Sequence, residues 1–206
     1  MQPLTENSIV VLSLIYIASY LIGSINFSIL ASAILLHRDI RQSGSKNAGF
    51  TNLLRSGNKP LAVGVLLLDL SRAYLVVWGC RYIPIDTLWP LVAVPLLLGN
   101  IWPVFHDFRG GKGIAMSIGI AFAVNPTAGA IALGAMILMI SVWKKVSVGS
   151  LAFLICAASG FFAFESTIAG LLGVFMCVLG GCAHRENINR LVHGTEPSIF
   201  HSPPSK

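Results

Sequence analysis

The chain has 206 residues, of which 55% are hydrophobic and only 11% charged, whereas an ordinary soluble domain carries about 25% charged residues. With a mean hydropathy of +0.78 and recurrent apolar runs of near bilayer-crossing length, the composition excludes a water-soluble globular enzyme. The net charge of +6, from 14 Lys and Arg against 8 Asp and Glu, suits anionic headgroups and anionic substrates equally.

In hydrocarbon each backbone N–H and C=O must be satisfied within its own segment, so these runs are helices. A transmembrane barrel would alternate apolar and polar residues, and Leu61 to Leu68 does not. The expected fold class is an all-α integral membrane protein, with residues 1–206 forming a single membrane-embedded domain. Glu6, the lack of Lys or Arg among the first eight residues and an apolar run continuing past Leu30 give no sign of a cleavable signal peptide. Cys80, Cys156, Cys177 and Cys182 form no CxxC pair and read as small apolar side chains, with no metal indicated.

In chain order, seven membrane segments are predicted: Ser8 to Leu36, Pro60 to Cys80, Leu88 to Phe105, Gly113 to Val124, Thr127 to Trp143, Gly149 to Phe164, and Thr167 to Ala183. The fourth is short, rising about 18 Å against a hydrocarbon thickness of about 30 Å. Charge placement favours counting it as a crossing. With seven spans every Lys and Arg falls on one face, except Arg72 inside a span and Arg81 opposite. Fusing the fourth and fifth segments would send Lys144 and Lys145 to the wrong side. The positive-inside bias then puts the N-terminus outside and the C-terminus in the cytoplasm. The tail 194–206, with Pro197, Pro203 and Pro204, is expected to fray.

Four motifs gather on the basic face. The first, Ser43 to Arg55, packs Ser45, Lys46, Asn47, Thr51, Asn52 and Arg55 around Gly44 and Gly49. Freed N–H groups, short donors and an Arg fork suit a phosphate monoester, and the same composition also suits a polar loop capping a short helix. The second is Gly110-Gly111-Lys112-Gly113 at a helix start, where N–H groups, a helix dipole and a cation converge on one anion. It is not a Walker A loop, lacking the four-residue spacer and the hydroxyl after the Lys. The third, Trp143 to Ser150, offers Ser147 and Ser150 as caps or phosphate donors, and spacing does not rank them. The fourth places His184 and Asn187 three residues apart; His184 is a candidate phosphate donor or base. Asp69 and Arg72, spaced i,i+3 in the second span, are expected to form a structural ion pair.

Taken together and in order, these motifs resemble the bacterial acyl-phosphate:glycerol-3-phosphate acyltransferase family, of the PlsY type. The resemblance rests on Tyr20 to Ile25, Gly44-Ser45 through Asn52-Leu53-Leu54-Arg55, Leu67-Leu68-Asp69, Pro103-Val104-Phe105 with Gly110 to Gly113, and His184 to Ile188. It implies a seven-helix enzyme of the bacterial inner membrane, active at the cytoplasmic face. Such an enzyme transfers a fatty acyl group from acyl phosphate to the 1-hydroxyl of glycerol 3-phosphate, giving lysophosphatidic acid and phosphate for phospholipid synthesis. By resemblance, Ser45, Arg55, Lys112, His184 and Asn187 are the catalytic positions. Asn47, Asn52, Gly110, Gly111, Gly113 and a serine of the Ser147 to Ser150 stretch add to substrate binding. The implied partners are the two substrates and membrane lipids, with no cofactor, metal, nucleic acid, acyl carrier protein or coenzyme A.

The chain departs from that pattern at Lys46, commonly glycine; Phe50, usually small; Asn26, frequently proline; Asn100, frequently histidine; and Arg72-Ala73, commonly Lys-Gly. None of these removes a proposed ligand, although Lys46 lacks glycine's freedom at positive φ. Acyl phosphate is already activated, so no covalent nucleophile is needed, and the hydroxyl proton passes to His184 or to a substrate phosphate. A carrier for phosphate esters would instead need polar groups deep in several spans, where this chain has only Asp69 and Arg72.

Overall fold

A computed structural model describes residues 6–83 and 86–199. Among the described residues every regular element is helical. The first apolar stretch is not one helix. Helix α1 (Glu6–Ser24) stops, Ile25 and Asn26 are non-helical, and α2 (Phe27–Leu36) starts afresh with the Asn26 side chain accepting the Ile29 N–H at 3.1 Å. A connecting segment with a single 3-10 turn at Ile40–Gln42 leads to α3 (Phe50–Arg55) and then to α4 (Lys59–Cys80). The third segment enters as a 3-10 run, Asp86–Val92, that contains Pro90, before α5 (Ala93–Ile101). After the glycine-rich loop come α6 (Ile114–Val124), α7 (Pro126–Trp143), α8 (Val146–Phe164), α9 (Thr167–Ala183) and α10 (Arg185–Val192).

The starts of these helices follow from sequence. Asn58, Asn125 and Ser166 cap α4, α7 and α9 with side-chain oxygens, and Pro60 and Pro126 sit in first turns where no N–H is needed. Five stretches are long and apolar enough to cross a membrane, the broken Ile9–Leu36 among them. The pair α9 and α10, bent by 66°, brings the number to six if it is taken as one span. Helix α6, with 11 residues, is shorter than a full crossing, as its sequence requires.

Without a hydrophobic force between helices in lipid, close packing of small residues holds the bundle together. Helix α1 crosses α5 at Gly23 and Gly99: a Cβ on Gly23 would lie 2.1 Å from the Leu96 carbonyl, and one on Gly99 2.2 Å from that of Tyr20. The remaining strong pairings are α4 with α6, α7 with α8, and α8 with α9. Their core buries Leu96, Met116, Ile120, Phe153, Phe161, Leu172 and Met176, while Leu14, Ile34, Leu67, Ile137, Val142 and Val178 face outward. This inside-out distribution fits a lipid surround. A smaller core of Ile29, Ile40, Ala48, Leu53, Ala62 and Val65 lies under residues 38–58 and seats that segment on α2 and α4. Asp69 and Arg72 form the expected buried ion pair, at 2.6 Å.

The tail corrects an expectation. Residues 194–199 are tied down: Thr195 and Glu196 N–H donate to the Arg190 carbonyl, Ile199 N–H donates to the Lys144 carbonyl at 2.8 Å, and Glu196 is buried. Partners for the Glu196 carboxylate, described below, are what oppose fraying. Residues 200–206 lie outside the described residues.

Candidate active site

Three arms meet at one rim of the bundle. The first is the Ser43 to Arg55 segment. Gly44 (φ 60°) and Lys46 (φ 55°) adopt left-handed conformations that turn the chain around the buried Asn52. The Asn52 amide donates to the carbonyls of Ile40, Ser43 and Asn47 at 2.9–3.1 Å, and its oxygen accepts the Ser45 N–H at 3.0 Å. Asn52 therefore spends its polar atoms shaping the loop, and Ser45 is left exposed at the turn. Asn47 is half-buried, its amide beside Gly49. Half-buried Arg55, in the last turn of α3, makes no side-chain hydrogen bond or ion pair among the described residues.

The second arm is the glycine loop. Gly110 and Gly111 do not present free N–H groups: they donate to the carbonyls of Ile101 and Asn100 at 3.0 and 3.1 Å, covering the end of α5. This corrects the expectation that the whole loop turns its N–H groups on a ligand. Close approach is the reason for these glycines, since a Cβ on Gly110 would fall 2.1 Å from the Asn100 carbonyl. Gly113, at φ +78°, starts α6, and the N–H groups of Lys112 and Gly113 keep no backbone acceptor among the described residues. The free N–H groups thus lie in the C-terminal half of the loop, at the first turn of α6.

The third arm comes from α8, α10 and the tail. Lys112 Nζ donates to the Asn187 side-chain oxygen. The Asn187 amide donates to Glu196 Oε1 at 2.6 Å, as does the Ser147 hydroxyl at 2.7 Å, and Arg190 Nε donates to Oε2 at 2.7 Å. Ser147 thereby joins the network, whereas Ser150 donates back to the Val146 carbonyl of its own helix. His184 is buried at the bend between α9 and α10, its Nδ1–H donating to the Gly180 carbonyl at 2.8 Å. That bond fixes Nε2 as the unprotonated acceptor.

Electrostatics tie the arms together. Burial pushes the Lys112 amine below its ordinary range, Arg190 and Arg55 push it the same way, and Glu196 and Glu186 oppose. Burial alone would raise Glu196, but hydrogen bonds from Asn187, Ser147 and Arg190 outweigh it and hold the carboxyl below its usual value. Burial likewise lowers His184 to about 4, against the Gly180 bond and with Lys112. The rim thus holds a neutral imidazole, a half-buried lysine and an arginine without a side-chain partner among the described residues, with positive charge in excess of what Glu196 balances. A phosphate entering it would meet Arg55, Lys112 and the N–H groups of Lys112 and Gly113.

Arg190 and Glu196 join this network without being among the candidate site residues read from the sequence. The only signal in the sequence is an acid and a base close to His184 and Asn187, which is indistinguishable from a solvated tail. Among the described residues no group of His, Cys, Asp and Glu is placed to hold a metal ion.

The fold defines a multi-pass integral membrane protein, with a basic candidate site at one rim of its bundle. Residues 13–194 match the family model described as glycerol-3-phosphate acyltransferase. A glycerol-3-phosphate acyltransferase of Bordetella petrii is 38% identical over 207 residues, covering 95% of this chain and 96% of that one. One from Paraburkholderia phymatum is 36% identical over 193 residues, covering 90% and 91%. The crystal structure of PlsY (YgiH), an integral membrane glycerol 3-phosphate acyltransferase in its glycerol 3-phosphate form, superposes with a TM-score of 0.84 at 32% identity, covering 90% of this chain and 94% of that chain. Its lysophosphatidic acid form gives 0.81 at 31%. The chain belongs to the glycerol-3-phosphate acyltransferase family.

Proposed function

We propose that this protein transfers a fatty acyl group from acyl phosphate to the 1-hydroxyl of glycerol 3-phosphate, at the cytoplasmic face of a bacterial inner membrane crossed seven times. The observation that carries this reading is the convergence of Arg55, Lys112, Asn187 and neutral His184 on one rim of a lipid-facing bundle. There a soluble phosphate ester meets an acyl chain dissolved in lipid. Arg55 and Lys112 hold the phosphates, and Ser45 and Asn47 line the glycerol side. The donor set of the Lys112–Gly113 backbone faces the charge that develops on the attacked carbonyl.

The hydroxyl oxygen of glycerol 3-phosphate forms a bond to the acyl carbon, and the bond from that carbon to the phosphate oxygen breaks. The hydroxyl proton leaves with the phosphate, whose own oxygens accept it. His184, with its proton committed to Gly180, offers Nε2 as an acceptor that orients a glycerol hydroxyl. Its low pKa makes it a poor final proton acceptor near neutrality. Asn52, Gly110, Gly111 and Glu196 act as positioning groups.

The test uses purified protein in micelles with acyl phosphate, following phosphate release. Release is expected only when glycerol 3-phosphate is present, and Arg55→Ala should raise its KM by at least about tenfold. Donor-only hydrolysis, or use of acyl coenzyme A in place of acyl phosphate, would overturn the assignment.

A further inference from the structure

Arg72 is 9% exposed within α4 and takes no part in the rim network. Its guanidinium reaches sideways to the break in the first apolar stretch. Nη1 donates to the Ile22 carbonyl at 2.9 Å and to the Ile25 carbonyl, while Nη2 donates to Asp69 at 2.6 Å. The Phe27 ring lies 4.7 Å from the guanidinium carbon. The break leaves the Ile25 carbonyl without a backbone donor among the described residues, whereas the Ile22 carbonyl keeps a bond from the Ile25 N–H at 3.3 Å. In a continuous helix the Ile25 carbonyl would accept from Ile29, but that N–H is taken by the Asn26 side chain at 3.1 Å. An unpaired carbonyl is costly inside a membrane, and a planar fork reaches two acceptors on one element and a third on another, which a lysine does less rigidly.

Asn26, the residue that follows the Ile25 carbonyl, is buried and reaches the first arm. Its amide donates to the Ala48 carbonyl at 3.4 Å, in the middle of the first arm. That carbonyl is also where the glycine loop packs, since a Cβ on Gly111 would lie 2.8 Å from it.

We infer that Arg72 is a positioning residue: by capping the Ile25 carbonyl freed at the helix break, and bonding Ile22 beside it, it fixes Asn26, and through Asn26 and Ala48 it sets the Ser45–Arg55 arm against the Gly110–Gly113 loop. The kinetic part of this inference rests on the acyltransferase reading above.

The experiment compares wild type, the paired variant Asp69→Asn with Arg72→Met, Asn26→Ser, and all three changes together, each as the full chain in micelles. Pairing the first two changes avoids a buried lone carboxylate, and serine preserves the cap on α2 while withdrawing the bond to Ala48. The expected result is a rise of about tenfold in KM for glycerol 3-phosphate with kcat changed less than about threefold. The combined variant should be no worse than the poorer of its parts. Hydrogen–deuterium exchange should quicken over residues 43–49 and stay unchanged in α7 and α8. Unaltered exchange over 43–49, or strictly additive effects, would overturn the inference. Should the ion-pair variant fail to fold, Asn26→Ser decides alone by the same readouts. A wild type that does not use glycerol 3-phosphate would sink the functional reading, and exchange over 43–49 would still judge the positioning role.

Discussion

A buried histidine with pKa about 4 carries a definite pH signature. Between pH 4 and 6.5 the unfolded chain binds a proton at His184 that the native state refuses. Stability is therefore complete above about 6.5 and declines as pH falls toward 4, by up to about 3 kcal/mol. Melting temperature in micelles should drop over that window, and His184→Gln should flatten the slope. Lys46 gives a second case. Its φ of 55° lies in the left-handed region, which costs a non-glycine residue roughly 1 kcal/mol or more. Lys46→Gly should raise the unfolding free energy by about that amount, as measured by thermal denaturation, because no described partner rewards the lysine. The sequence exposed this strain in advance: a lysine standing where the resembled pattern has glycine.

At the scale of elements, the short α10 and the tail behind it act as a clasp. Glu196 joins α8 through Ser147, α10 through Asn187 and Arg190, and indirectly the glycine loop through Lys112. Glu196→Ala leaves Arg190 and the Asn187 amide without their acceptor and frees Lys112 to swing. The expected outcome is a loss of about a hundredfold in kcat/KM, since small misplacements of catalytic groups cost that much. Limited proteolysis should then cut near Gly194, where the wild type resists. A variant that kept full activity and resistance would show the clasp to be incidental.

At the scale of the whole molecule, charge and hydropathy made the architecture legible, because lipid leaves helices as the solution for long apolar runs. The rim residues Arg55, Lys112, His184 and Asn187 stand out in the sequence through the family resemblance, because by composition alone the same polar residues serve equally as helix caps or headgroup contacts. What stayed hidden depended on contacts between distant residues. The break at Ile25-Asn26 is invisible to hydropathy, since apolar residues flank it on both sides. The use of Gly110 and Gly111 as covers for α5 needed the position of the Asn100 carbonyl. Glu196 needed Ser147, 49 residues away.

That last separation bears on biogenesis. The clasp closes only when three segments distant in the chain, around residues 112, 147 and 187–196, have arrived on the same side of the membrane. A chain in which one hairpin inserts upside down strands a member of the set across the bilayer, and no amount of local relaxation restores it. The network therefore ties correct threading to assembly of the rim: a misthreaded copy lacks one of its members.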